Sequence, residues 1–157
     1  MKKLIIIVLL IIVLSGCSYP EIGIDRIAMI EINNNNCKIK SDLSTHSGFH
    51  GDGEYFARIY CENINEKQLS NNWKKLPLKK RIKELANAKY TYNDNNETMY
   101  ERYNLSNITE GYYFFLNRNN KDNKYDYFSK DNRVISNYTI AVYDSNNSII
   151  YYYELDT

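Results

Sequence analysis

Apolar residues run without a break from Leu4 to Leu14, and from Ile24 onward they fall into strand and helix periods. Ile24 to Ile32 is rich in β-branched residues, with Ile30 and Ile32 on one side of an alternation and Glu31 on the other, which predicts a strand. Glu54 to Cys61 predicts a second strand and "GYYFFL", Gly111 to Leu116, a third. Near the end, Tyr138–Tyr143 and Ile149–Leu155 flank Asp144-Ser145-Asn146-Asn147, the clearest hairpin in the chain. Between the strands, Glu66 to Trp73 is a candidate short helix. A better one begins near Pro77, which is preorganised for a first helical turn. Leu78, Ile82, Leu85 and Ala86 there fall at i, i+4, i+7 and i+8, an apolar stripe suited to packing on a sheet. Strands at both ends with helices between them predict an α+β domain, an antiparallel sheet with one or two helices, chiefly 78–88, packed on one face.

The opening run is too short to span a bilayer comfortably, since that takes about 20 residues. Met1-Lys2-Lys3 before it and Ser15-Gly16-Cys17 after it have the form of a secretory leader with a small-residue cleavage site. Leu14-Ser15-Gly16-Cys17 looks like a bacterial lipobox, in which the cysteine thiol is acylated and the chain is cut before it. Residues 1–16 are thus expected to be a lipoprotein signal peptide, 17–23 a lipidated N-terminus and tether, and 24–157 one domain. Two acyl chains, such as palmitate, suffice for stable anchoring to the extracytoplasmic face of the cell membrane.

Charge narrows the partners. Loss of Lys2 and Lys3 from 20 basic side chains leaves 18 against 19 acidic ones, so no global field favours nucleic acid. Lys74, Lys75, Lys79, Lys80, Arg81, Lys83 and Lys89 form a basic helix face that could meet anionic envelope polymer or lipid headgroups, although a solvated face is the commoner cause of such a pattern. Sixteen tyrosines against one tryptophan and five phenylalanines suit half-exposed strands, and the asparagine run 33–36 reads as a polar connection. Asp122 and Asp126, in the polar tract after the third strand, lack the glycine and distal glutamate of a calcium loop.

Cys37 and Cys61 each lie twelve residues from Phe49, so a hairpin centred there would set the two thiols opposite each other. Outside the cytoplasm such a pair favours a disulfide, worth about 3 kcal/mol in the chain-entropy model; two buried free thiols are the alternative.

The intervening "THSGFHGDGE" carries the candidate chemistry. His46 and His50, with Asp52 and Glu54, are the residue types that hold zinc or another divalent ion. The glycines at 48, 51 and 53 exclude a helix that would align the two rings, so convergence would depend on the loop's fold. A phosphate-binding nest lacks a following lysine and has Glu54 beside it. The reading favoured is a turn in which glycine supplies positive φ, Asp52 caps the backbone, and Phe49 folds back over the sheet. No Gly-x-Ser-x-Gly elbow or His-Glu-x-x-His motif occurs, and no cofactor is implied.

The segments "THSGFHGDGEYFARIY", "NNWKKLPL", "GYYFFLNR" and "AVYDSNNSIIYYYELDT" resemble an uncharacterised family of small secreted or lipid-anchored proteins of low-GC Gram-positive bacteria. The resemblance covers roughly Ser44 to Thr157 and implies one domain, with no catalytic residue or cofactor to carry over. Together these readings favour a membrane-anchored, non-catalytic extracytoplasmic binding module with a protein or anionic envelope polymer as partner. A small metal-dependent enzyme using His46, His50, Asp52 and Glu54 is the alternative, and an accessory protein that neutralises another protein is the third.

Overall fold

The computed structural model describes residues 22–33, 36–46, 51–62, 64–90, 97–120, 124–125 and 136–157. The expected leader, Cys17, His50, Gly48 and Phe49 of the loop, and Asp122 and Asp126 lie outside the described residues. Nine labelled elements follow one another among those that are described: helix α1 (Ile22–Met29), strands β1 (Cys37–Ser44), β2 (Gly53–Cys61) and β3 (Lys74–Lys75), helices α2 (Lys80–Ala86) and α3 (Met99–Arg102), and strands β4 (Gly111–Asn117), β5 (Tyr138–Asp144) and β6 (Ile149–Asp156). The strands form one antiparallel sheet in the order β1-β2-β6-β5-β4-β3. The α+β class read from the sequence therefore holds, and no helix among the described residues is long and apolar enough to cross a membrane.

Alternation along the strands loads both faces. Phe56, Tyr113, Phe115, Tyr138, Ile140, Val142, Tyr153 and Leu155 point to one side, where Ile82, Leu85 and Ala86 of α2 and Met99 of α3 cover them. The predicted apolar stripe of α2 does pack on the sheet. Tyr55, Ala57, Ile59, Phe114, Leu116, Ala141, Ile150 and Tyr152 point to the other side, under Ile30, Ile32 and Trp73 with Ile27 and Met29 of α1. Helices thus lie on both faces, where the sequence predicted one. That second cover also explains the tyrosines: Tyr138, Tyr152 and Tyr153 are among the largest fully buried side chains, not half-exposed ones. Tyrosine tolerates this because its hydroxyl reaches a partner, as Tyr138 does in donating to Leu85 O at 3.1 Å.

Three predicted elements are corrected. The expected strand over 24–32 is instead α1, which begins at Ile22, inside the expected tether, and only Ile32 keeps a strand contact, an isolated bridge to Leu69. Its alternation covered just three residues, and packing of α1 on the sheet overrode the β-branched preference. The helix at 66–73 is reduced to a 3-10 turn, Glu66–Gln68, capped by the Asn65 side chain, and ends as Leu69 turns extended to meet Ile32. The 78–88 helix is shortened to Lys80–Ala86. The closing hairpin stands as read: Asp144 Oδ1 accepts the amides of Asn146 and Asn147 at 3.0 and 3.3 Å, which fixes the turn.

In the loop after β1, Gly51 and Gly53 have φ of +71° and +154°, as a glycine turn requires. A Cβ on Gly53 would stand 2.7 Å from His46 N, whereas one on Gly51 would meet nothing within 4 Å. Gly53→Ala is expected to cost about 2–3 kcal/mol, from strain and collision together, and Gly51→Ala about 1 kcal/mol, from strain alone. Urea unfolding of the two variants checks the order, and equal losses would contradict it.

Candidate functional site

An open cleft that couples charged and aromatic side chains starts from an irregularity in β1. Ser41 faces Ala57 and Leu43 faces Phe56, so Asp42 is an extra residue, a β-bulge. Bulges re-aim side chains. This one turns two consecutive residues to the face carrying α2 and α3: Leu43 packs against that core, and Asp42 meets Arg58 of β2. Arg58 Nε donates to Asp42 Oδ2 at 2.8 Å and Nη2 donates to Oδ1 at 2.7 Å, a two-pronged pair. The Tyr103 hydroxyl donates to the same Oδ2 at 3.1 Å. Asp42 is 7% exposed and Arg58 is 38% exposed, so the carboxylate forms a floor and the guanidinium an accessible wall.

The hydrogen bonds it donates to Asp42 push the Arg58 guanidinium further up from its ordinary value. Burial, then the adjacent Asp42 charge, push the Tyr103 hydroxyl well up, so it stays a neutral donor. Just beyond the end of α3, which a Thr98–Glu101 capping box starts, Tyr103 stacks on Tyr151 of β6 with centroids 4.8 Å apart. Arg102 lies over the Phe56 ring at 4.8 Å and pairs with Glu97 at 3.0 Å. Asp42, Arg58, Glu97, Arg102, Tyr103 and Tyr151 bound a cleft of about 320 Å³.

A second charged cluster, on the opposite face, contains one of the sequence candidates. Glu154 of β6, 8% exposed, accepts from Arg26 Nε at 2.9 Å, from Tyr152 at 3.0 Å and from Arg118. Arg118 Nη2 also reaches Asp156 Oδ1 and Leu155 O, both at 2.6 Å, and Asp156 Oδ2 lies 3.0 Å from His46 Nε2. Burial would raise the Glu154 pKa, but the charges of Arg118 and Arg26 outweigh it and hold the group below its ordinary value.

The candidate metal residues separate. His46 turns to Asp156, while Glu54, 2% exposed, accepts from Tyr153 at 2.9 Å on the face covered by α2 and α3, and Asp52 is exposed. Among the described residues no three His, Cys, Asp or Glu side chains are grouped to hold a metal. Cys37 and Cys61 are opposite each other in the β1–β2 register with Cα atoms 4.1 Å apart and form the disulfide. The lysines at 74, 75, 79, 80, 83 and 89 are exposed.

Sequence reasoning missed Asp42, Arg58, Tyr103 and Tyr151. A signal existed for two of them: Arg58 shares the parity of buried Phe56, and Thr98-x-x-Glu101 is a helix-start signature leading to Tyr103. The bulge that delivers Asp42 has no such sign. No family model, curated protein or solved structure matches the chain. The site is read from its own geometry.

Removing one member of the buried cluster leaves arginine charge uncompensated. Glu154→Gln is expected to cost about 3 kcal/mol at neutral pH, measured by urea unfolding. Because the folded-state pKa of Glu154 is lowered from 4.5, its contribution is complete above that value and is lost as pH falls through the lower folded one. The variant should therefore show a flatter loss of stability on acidification than the wild type. Parallel acid limbs would refute this assignment.

Proposed function

We propose that this chain is a lipid-anchored domain on the extracytoplasmic face of a bacterial cell membrane that binds a ligand without transforming it. The observation that carries the reading is the Cys37–Cys61 disulfide. Disulfides persist in oxidising compartments, which agrees with export by the leader at 1–16 and acylation at Cys17. The cleft fits recognition better than catalysis, because Asp42 is engaged by Arg58 and Tyr103, and Glu97 by Arg102, an arrangement that holds polar groups in place. Separation of His46, Asp52 and Glu54 favours this reading over the metal-enzyme alternative.

Cells fed labelled palmitate should incorporate it into the full chain, and Cys17→Ala should abolish both labelling and the cut before residue 17. Intact mass of the unreduced protein should rise by two hydrogens on reduction of the Cys37–Cys61 bridge. Undiminished labelling of the mutant, or free alkylation of both cysteines in the native protein, would overturn the proposal.

A further inference from the structure

The cleft between β1, β2, β6 and the end of α3 has a composition that selects among ligand classes. Its fixed charges come in two opposed pairs, Asp42 with Arg58 and Glu97 with Arg102, at 2.7 and 3.0 Å. Four formal charges therefore cancel within the cleft itself. An anionic ligand would meet arginines whose charge a carboxylate already offsets, and a cationic one carboxylates already engaged by arginine, so neither gains the full attraction of an unpaired partner. A neutral ligand with many hydroxyls needs no such partner, since it can use the outward donors and acceptors of groups that are already held rigid.

Such groups are present. Both Arg58–Asp42 bonds use Nε and Nη2, so the Nη1 edge of a side chain 38% exposed makes no bond to a described residue. The Tyr151 hydroxyl has no partner among the described residues, and its half-buried ring is backed by Tyr103 at 4.8 Å. Tyr60, two residues from Arg58 on the same side of β2, is the one large hydrophobic side chain exposed among the described residues, at 38%. Aromatic rings that are supported from behind and open in front provide apolar area at small entropic cost, while the polar groups around them set orientation.

We propose that this cleft is a binding site for a neutral saccharide, with the Tyr151 ring stacking against the apolar face of a sugar ring and Arg58 and Tyr151 hydrogen-bonding its hydroxyls. The proposal rests on the non-catalytic binding role given above and assigns it a place and a ligand class. The volume of about 320 Å³ falls at the lower end of ligand pockets, which suits a mono- or disaccharide unit of a longer glycan.

The test uses the full chain in a detergent that carries no sugar headgroup, titrated calorimetrically with cellobiose, maltose, lactose and N,N′-diacetylchitobiose. At least one should bind, with affinity nearly independent of sodium chloride, because no net charge is exchanged. Tyr151→Ala should weaken that binding about tenfold or more, whereas Tyr151→Phe, which keeps the ring, should weaken it less. Arg58→Lys keeps the charge but loses the planar pair and should also weaken binding. Thermal unfolding of each variant shows that it is folded, and Tyr151→Phe, which removes only an unbonded hydroxyl, keeps the comparison available if the alanine variant does not fold. Absence of binding to all four sugars, binding unaffected by the tyrosine variants, or binding of phosphorylated or sulfated sugars alone with steep salt dependence would overturn the assignment. Palmitate labelling at Cys17 together with failure to bind sugar would remove the saccharide and leave the anchored module standing; the converse would do the reverse.

Discussion

A carboxylate buried in the middle of a sheet constrains everything around it. Glu154 lies on β6, between β2 and β5, and its side chain is 8% exposed. An unpaired charge there would cost several kcal/mol, so its cations have to be brought to it. Arg26 arrives on α1, which fixes that helix against the sheet and sets the guanidinium 3.9 Å over the Tyr55 ring. Arg118 arrives from the residue after β4, spans Glu154 and Asp156, and takes the Leu155 carbonyl as well. Asp156 then holds His46, the last described residue before the glycine turn. Glu154 thus ties α1 and the end of β4 to β6, and Asp156 beside it adds the end of β1 through His46, all on the face that α1 covers.

That dependence marks the boundary of what was legible. Period-two alternation and turn chemistry are local, and they located β2, β4 and the β5–β6 hairpin to within a residue or two. Symmetry of Cys37 and Cys61 about Phe49 located the β1–β2 register, because a hairpin pairs residues equidistant from its turn. The α1 helix was misread since its sequence has β-branched residues and its conformation is decided by Arg26, Ile27, Met29 and Ile30 meeting a sheet whose strands are distant in sequence. His46 was singled out as a candidate metal ligand, whereas its partner is Asp156, 110 residues away. Spacing within a loop carries no information about such a contact.

Two arginine–carboxylate clusters on opposite faces of the sheet show how burial separates architecture from recognition. Arg26 and Arg118 are 16% and 18% exposed, and Glu154 less, so that cluster exchanges little with water and its pairing is a condition of folding. Arg58 is 38% exposed on its Asp42 floor. A pair that open to solvent contributes at most about 1 kcal/mol to stability, because water competes for the same hydrogen bonds. The same competition makes it useful: a ligand hydroxyl that displaces water from the outer edge of Arg58 meets a donor whose orientation is already set by the carboxylate behind it, and little entropy remains to be lost on binding. The bulge at Asp42 is what creates this asymmetry. Regular pairing through β1 would send Leu43 to the opposite face, whereas the extra residue keeps Leu43 in the core while lowering a carboxylate beside Arg58.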